Sequence, residues 1–412
     1  MTRHLTLAAS LAVLLATGCK GQTPPPAEVT FGCWPATTQE RSENLRCWVE
    51  YLSAPALGGR NNGSAGSAKA RAAIVEAFTN AWLQKAGDRD FEQDIPQGTN
   101  VIAMIAGQSA LRSEVVVLGA HYDHIGVIDG EVHPGADDNA TGVAVLVEVA
   151  RALAASPPDR SVLLIAFDSE EPPEFLTAAM GSRWWVDHPT LPLSRVKAMV
   201  ALDMLGGDMW PGFESPLVLL GLETFDTPPV ADMASLAASI KPASPGAAPV
   251  GLAALHLRAV EDLPSGRQAF SDYGAFRDRR IPVALLTTGR SPHYHRPSDT
   301  VAHIQFDKVE AAVAVTEALI RRLASADFSP AWRAVQPLRV QDARSVLALL
   351  EAAVGKHGKP APIGKKAIGV LRSRIPALAA IAARSPTSAI VEAEAKAVIE
   401  ASLVLQSMLG GH

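Results

Sequence analysis

Histidine and carboxylate side chains are concentrated in residues 121–142 of this chain. His121 and Asp123 follow an apolar run, and Asp138 precedes a stretch with helical periodicity. An extended backbone turns residues two positions apart to the same face, so His121 and Asp123 should face one site. Imidazoles and carboxylates are the ligands that divalent metals take from proteins. The segment therefore predicts a metal site between a strand and a helix.

Further polar residues follow other apolar runs. Glu170 and Glu171 come just after residues 161–167, Asp203 follows residues 196–202, and His295 lies in a polar segment after residues 282–288. In an open α/β sheet, ligands bind in the crevice beyond the carboxyl ends of the strands. The mixed ligand set suits zinc or, less selectively, manganese or cobalt.

The elements that must position these residues are continuous apolar strands alternating with amphipathic helices. The predicted strands are 100–106, 114–118, 161–167, 196–202, 216–220 and 282–286, and the predicted helices between them include 142–155, 227–240 and 306–324. This alternation predicts an α/β fold with a mixed, largely parallel central sheet that helices cover on both faces.

The first residues read as a targeting segment. A short basic start precedes an apolar run from Leu5 to Ala16 that is too short to span a bilayer comfortably, and Thr17-Gly18-Cys19 resembles a bacterial lipobox. We predict a lipoprotein signal peptide over 1–18, lipidation of Cys19 and a Pro-rich tether over 19–36. An ordinary secretory signal is the alternative.

Composition and cysteine usage agree with an envelope protein. The formal net charge is -5, and without a basic stripe the chain does not support nucleic-acid binding. Cys33 and Cys47 could form a disulfide in an oxidising compartment, or remain two buried thiols. We expect lipid anchoring to the bacterial envelope as the only membrane contact. Lys20 favours the outer membrane, and a periplasmic location is the alternative.

The chain divides at a change of composition near Phe328. Residues 37–326 carry the strands and the polar clusters, whereas 327–412 are rich in Ala, Leu, Lys and Arg with helical periodicity. Helices are predicted over 340–354, 365–374, 376–383 and 387–409. We predict a C-terminal helical extension that regulates, oligomerises or shapes the substrate entrance. The oligomeric state is open.

Five separated blocks resemble the M28 family of zinc-dependent aminopeptidases. They are His121-Tyr122-Asp123, Gly135-Ala136-Asp137-Asp138-Asn139, Ser169-Glu170-Glu171, Leu202-Asp203-Met204, and His295 with Asp299-Thr300. The similarity extends from about Glu50 to Ala326 and implies the zinc-exopeptidase fold. By this resemblance His121 and Asp203 hold one zinc ion, Glu171 and His295 hold a second, and Asp138 bridges the two.

The resemblance also implies a mechanism. Asp123 would orient His121, the usual role of a carboxylate behind a ligating imidazole, and Glu170 would be the general base. Two bound zinc ions would activate a water molecule and polarise the scissile carbonyl of a peptide or N-terminal amino-acid substrate. Asp137 reads as a helix N-cap, and His124 and His133 as loop residues. Candidates for the substrate pocket are Trp210, Phe213, Asp272 and Tyr294.

Three other functions compete with an aminopeptidase. A glutaminyl cyclase-like acyltransferase on a single zinc shares several features, but would not require His121. An M20-type carboxypeptidase would normally insert a separate dimerisation domain between Asp203 and His295. A non-catalytic envelope lipoprotein would have lost ligands, and all five expected ligands are present.

Overall fold

The fold is built on a mixed β-sheet whose inner strands are buried along their whole length. The computed structural model of the chain describes residues 31–33, 41–230, 236–237, 240, 250–263, 266–334, 337–356 and 358–409. The strands in these residues are β1 (Gln84–Lys85), β2 (Glu92–Ile95), β3 (Gly98–Ile105), β4 (Val115–His121), β5 (Val127–Ile128), β6 (Glu131–Val132), β7 (Ser161–Phe167), β8 (Val196–Leu202), β9 (Leu217–Leu220), β10 (Leu252–Leu255), β11 (Asp262–Leu263), β12 (Gly266–Arg267) and β13 (Val283–Thr287).

The helices cover both faces of this sheet. The α-helices in the described residues are α1 (Arg41–Leu52), α2 (Ala65–Asn80), α3 (Gly142–Ala155), α4 (Gly181–Asp187), α5 (Arg258–Glu261), α6 (Tyr273–Asp278), α7 (Phe306–Ala324), α8 (Val340–Ala353), α9 (Lys365–Ala382) and α10 (Glu392–Leu409). Apolar side chains of α1, α2, α3 and α7 form the core on one face. Those of α4, α6 and the C-terminal helices α8–α10 form the core on the other.

The order of the strands brings the predicted site together. The sheet runs β1-β3-β7-β4-β8-β13-β9-β10, with β2 paired to β3. The four inner strands β7, β4, β8 and β13 are mutually parallel, so their carboxyl ends lie along one edge. Each of these strands is followed by, or ends in, a residue of the predicted metal site.

The predicted fold class is confirmed, and several elements have the predicted bounds. β7, β8, α3 and α7 begin and end at the predicted residues. These segments are continuous apolar runs or strongly amphipathic repeats, so burial and periodicity agree. Of the helix predicted over 227–240, residues 231–235 and 238–239 lie outside the described residues, and the described residues 227–230 are not helical.

Two predictions in the C-terminal extension were wrong. The break expected before Pro376 is absent, because α9 continues through this proline. Proline removes one hydrogen bond of the helix, but Leu371 and Leu378 on either side are buried in the core, and this packing stabilises the helix. The last helix begins at Glu392 rather than Thr387, since Ala389 pairs with Arg339 in a β-bridge.

The signal peptide, Cys19 and most of the tether lie outside the described residues, so they and the domain boundaries stay predictions. Cys33 and Cys47 form a disulfide, with their Cα atoms 5.5 Å apart. Among the described helices, none is both long and apolar enough to cross a membrane.

A buried polar junction connects the sheet to the C-terminal extension. Glu223 accepts a hydrogen bond from the backbone N–H of Leu257 (3.0 Å) and lies 3.2 Å from Nδ1 of His256. The backbone N–H of His256 donates to Asp342 of α8 (3.0 Å). Burial raises the pKa of Glu223 to about 7, and the nearby Glu261 adds to this effect.

This raised pKa predicts a pH-dependent contribution to stability. The folded protein holds the proton of Glu223 more tightly than the unfolded chain, so stability is lost as the pH rises through about 7. Glu223→Gln removes the ionisation, so the variant should melt about 2–4 °C above the wild type in alkaline buffer and close to it in acidic buffer. Thermal denaturation from about pH 5 to about pH 9 measures the difference. The exposed Glu50→Gln is the control, and a gap independent of pH would contradict the assignment.

Candidate metal centre

The carboxyl ends of the inner strands bring the predicted ligands together. His121 is the last residue of β4 and pairs in register with Phe167 of β7. Glu170 and Glu171 follow β7, and Asp203 follows β8. All four side chains are buried, at the edge where ligands of α/β sheets bind.

Asp138 lies between two histidines. Its Oδ1 is 3.3 Å from Nε2 of His121, and its Oδ2 is 3.2 Å from Nε2 of His295. The two oxygens of one carboxylate therefore face two imidazoles. This is the arrangement expected of a carboxylate that bridges two metal ions.

The ligands form two adjacent clusters. The His121 cluster contains His121, Glu170 and Asp203, and the His295 cluster contains His124, Asp138, Glu171 and His295. Within each cluster the potential ligand atoms all lie within 4.8 Å of one another. The structure thus brings together all five residues predicted as ligands, together with Glu170 and His124.

The chemistry of these donors fits zinc. Nε2 of His121, Nε2 of His295 and Oδ1 of Asp203 are buried, and none makes a hydrogen bond of good geometry within the described residues. Buried polar atoms are nearly always satisfied, so such atoms on one centre point to an absent ligand. Nitrogen and carboxylate oxygen donors with this burial are typical of zinc sites.

The electrostatics of the clusters favour the binding of cations. Burial raises the pKa of Glu170 well above its usual value, and the nearby Asp203 carboxylate adds to the effect. Burial alone would lower the pKa of His295, but Asp138 and Glu171 raise it to about 10. Several buried carboxylates in contact are costly unless positive charge compensates them, and divalent ions supply that charge.

Asp123 is the positioning residue of the centre. Its backbone carbonyl oxygen contacts Nδ1 of His121 at 3.3 Å, and its Oδ1 lies 3.6 Å from the same nitrogen. Its two carboxylate oxygens accept the backbone N–H groups of Glu170 and Glu171, each at 3.1 Å. One buried aspartate therefore holds the imidazole of His121 through its backbone carbonyl and the paired glutamates through its carboxylate.

We expect Asp123→Asn to weaken zinc binding roughly 10–100-fold, the usual cost of changing a group behind a metal ligand. The amide can accept only one of the two N–H groups, so the loop carrying Glu170 and Glu171 loses its anchor. Competition with a chelating dye measures the affinity. The control is Asp94→Asn, which alters an exposed aspartate that is paired to Arg89. Unchanged zinc affinity in Asp123→Asn would show that Asp123 does not position the ligands.

His124 lies in the loop after β4, as predicted, and its ring also reaches the His295 cluster. Its ring is fully buried, and its Nδ1 lies 2.8 Å from Oε1 of Glu171. The three-residue spacing between His121 and His124 does not place both imidazoles on one side of a strand. The turn of the chain after β4 brings them to the same centre. His133 contacts the backbone of Glu131 instead, and His293 bonds Ser298 away from both clusters.

Asp137 is not an N-cap, which corrects the prediction made from its position. Its Oδ1 accepts the backbone N–H of Gly206 at 2.8 Å, so it joins the Asp138 loop to the segment after β8. A side chain that does bond the start of α3 is that of Asn139, whose Oδ1 accepts the backbone N–H of Gly142 at 3.0 Å. The backbone around Asp138 departs from helical angles, which separates Asp137 from the regular helix.

Arg60 is a supporting residue that no sequence motif indicated. Its guanidinium is fully buried and donates to the carbonyl oxygens of Tyr122 and Gly135, among others. These carbonyls belong to the two segments that carry His121 and Asp138. Asp299 supports the same loop, because its carboxylate accepts the N–H groups of Asp137 (2.9 Å) and Asp138 (3.1 Å).

Three residues at or next to the metal centre have a left-handed backbone conformation. Ser169, Met204 and His295 all have positive φ angles, at 59°, 53° and 54°. Non-glycine residues seldom adopt this conformation, and such strain is typical of functional sites.

A cavity of about 430 Å³ opens beside the clusters and includes Asp138, Glu170, Glu171, Asp203 and His295 in its walls. Tyr294 lines it, as predicted. Trp210 does not, because it is buried in the core with Phe213 stacked on it at 4.0 Å.

Asp272 is also outside the lining of the cavity. It is buried, which raises its pKa to about 7, and lies close to Ser182 and Asp203. For Trp210 and Phe213, proximity in sequence to Asp203 was therefore a poor guide to the lining of the pocket.

Comparison with known families agrees with this site. Residues 100–320 match the sequence model of Peptidase family M28. The match spans more than half of the chain and contains every residue of the two clusters. The chain therefore belongs to peptidase family M28, a family of metal-dependent aminopeptidases, and the resemblance found in the sequence is confirmed.

Two relatives share part of the chain. The uncharacterized protein YfbL of Escherichia coli (strain K12) is 29% identical over 255 residues, which are 58% of this chain and 75% of YfbL. The aminopeptidase YwaD of Bacillus subtilis (strain 168) is 27% identical over 222 residues, or 52% of this chain. The alignment spans only 42% of YwaD.

Solved structures share the fold. The zinc aminopeptidase BSAP from Bacillus subtilis superposes with a TM-score of 0.52 at 18% identity, over 72% of this chain and 98% of that one. The aminopeptidase LapA of Legionella pneumophila gives a TM-score of 0.50 at 19% identity, over 69% of this chain and 72% of LapA. These likenesses confirm the layered α/β architecture.

Proposed function

We propose that this protein is a zinc-dependent aminopeptidase with a two-metal centre. His121 and Asp203 would hold one zinc ion, Glu171 and His295 the other, and Asp138 would bridge them. The observation that carries the proposal is the position of Asp138, whose two oxygens lie 3.3 Å and 3.2 Å from imidazoles of different clusters. YwaD is named an aminopeptidase and BSAP a zinc aminopeptidase, which supports the same activity here.

Bound zinc would supply the charge that activates a water molecule and stabilises the oxygen of the scissile carbonyl. Glu170 lies in the His121 cluster and also lines the cavity. Its carboxylate accepts a proton from the attacking water as the oxygen bonds to the carbonyl carbon. It then returns the proton to the amine nitrogen as the C–N bond breaks. Asp123 keeps Glu170 in place through the backbone hydrogen bond described above.

The activity is tested with the purified full chain, a panel of aminoacyl-p-nitroanilides and a peptide with N-terminal glutamine. We expect two zinc ions per chain by elemental analysis and release of p-nitroaniline that chelation abolishes and zinc restores. Pyroglutamate formation without hydrolysis would instead identify a cyclase. Bound zinc with neither reaction would indicate a non-catalytic protein.

We further propose that the protein is lipid-anchored to the bacterial envelope through Cys19. The supporting observations are the lipobox-like Thr17-Gly18-Cys19 and the disulfide between Cys33 and Cys47, since disulfides persist in oxidising compartments. Cys19→Ala should move the protein from the membrane fraction to the soluble fraction. Fractionation followed by immunoblotting would show this, and an unchanged distribution would contradict the anchor.

A further inference from the structure

The cavity beside the metal centre is lined in part by residues of the C-terminal extension. Leu349 of α8 and Leu405 of α10 line it together with Glu170 and His295. Both leucines lie beyond residues 100–320, the part of the chain that matches the M28 family. A wall of the cavity is therefore built by a segment that the family match does not include.

The cavity has two chemically distinct parts. Its carboxylates and His295 belong to the metal clusters, and Arg290 lies over the ring of Tyr294, beside His295, at 4.5 Å from the ring centroid. The rest of the lining is mainly aliphatic and aromatic. We name one part of it the apolar pocket, defined by Val218, Leu220, Leu255, Leu285, Leu349 and Leu405.

The apolar pocket combines strands of the sheet with the extension. Val218 and Leu220 come from β9, Leu255 from β10 and Leu285 from β13. Leu405 is 4% exposed, and Leu349 is half-buried and packs against the same core. The apolar pocket is thus lined by side chains of the sheet and of the extension that belong to one hydrophobic core.

We propose that α8 and α10 form a wall of the pocket that receives the side chain of the substrate's first residue, and that the protein consequently selects large apolar residues. The inference rests on the proposed aminopeptidase activity, because it places the scissile bond at the metal clusters. The side chain of the substrate's first residue is attached next to the scissile carbonyl, so it enters the adjoining apolar pocket. Specificity then depends on the extension as well as on the M28 fold.

The size and polarity of the pocket decide which side chains it favours. A cavity of about 430 Å³ is within the range of ligand sites that bury most of a bound molecule. The methyl group of alanine would leave the apolar walls in contact with water, whereas leucine or phenylalanine would cover them. Each methylene added in such a pocket typically changes kcat/KM by roughly 10–200-fold, so leucine should be strongly preferred over alanine.

Filling the pocket from the extension tests the proposal. Leu349→Trp should lower kcat/KM for leucine p-nitroanilide by about tenfold or more and change that for alanine p-nitroanilide by less than about twofold. The matched control is Leu347→Trp. Leu347 is also a half-buried leucine of α8 packed against the same core, but it does not line the cavity. Thermal denaturation of both variants verifies that they fold.

A binding measurement separates this inference from the proposed function. Calorimetric titration of the zinc-loaded full chain with free leucine and free alanine should show tighter binding of leucine in the wild type, and loss of that preference in Leu349→Trp only. Leucine binding without hydrolysis of any substrate would overturn the aminopeptidase activity but support the pocket. Hydrolysis with an unchanged leucine-to-alanine ratio in Leu349→Trp, or an equal change in Leu347→Trp, would overturn the pocket assignment.

Discussion

Glu170→Gln should retain two zinc ions and lose turnover by about 10²–10⁴-fold, the usual contribution of a general base. Glutamine has the shape of glutamate but cannot accept the proton of the attacking water. The ligands proposed for the metals, His121, Asp203, Glu171 and His295, are unchanged. The measurement pairs elemental analysis with kcat on leucine p-nitroanilide.

The control for this variant is Glu174→Gln, a half-buried glutamate of the same loop outside both clusters. It should retain wild-type kcat. If Glu170→Gln loses zinc in proportion to activity, Glu170 is a ligand rather than a base, and its place in the His121 cluster would then be explained by coordination.

Asp138→Ala should lose both metal and activity. Its carboxylate contacts both histidines, so its removal takes one oxygen from each proposed zinc. Once zinc is lost, no divalent charge compensates the neighbouring buried carboxylates. We expect the zinc content to fall below one ion per chain and hydrolysis to become undetectable. Loss of the metals should also lower the melting temperature, because zinc binds only the folded site.

The comparison of the two variants decides the division of roles. Equal zinc content in Glu170→Gln and Asp138→Ala would contradict it. Restoration of Asp138→Ala by excess zinc would show that the bridge contributes affinity and no essential geometry. The exposed Asp94→Asn should behave as wild type in both measurements.

The described structure also bears on the carboxypeptidase alternative. An M20-type chain would insert a separate domain between Asp203 and His295. In the described residues of this stretch, β9, β10 and β13 belong to the main sheet, with α6 packed on it. The stretch therefore builds the sheet and part of the apolar pocket, as expected for the M28 family.

The sequence by itself determined the layered fold and the residues that meet at the metal centre. The inner strands are continuous apolar runs, and a polar residue follows each one. Parallel strands place their carboxyl ends on one edge, so position along the chain was enough to bring His121, Asp203 and Glu171 together. The resemblance of the five sequence blocks to the M28 family assigned the bridging role to Asp138.

Only the tertiary structure decided which residues support the site and which line the pocket. His124, Arg60 and Asp137 act through contacts with segments distant in sequence, and no local periodicity reports such contacts. Trp210 was selected for its residue type, yet packing placed it in the core. Leu349 and Leu405 reach the cavity because α8 packs on β10 and α10 packs on α8. Long-range packing determines side-chain surroundings, whereas spacing along the chain determines only which elements form.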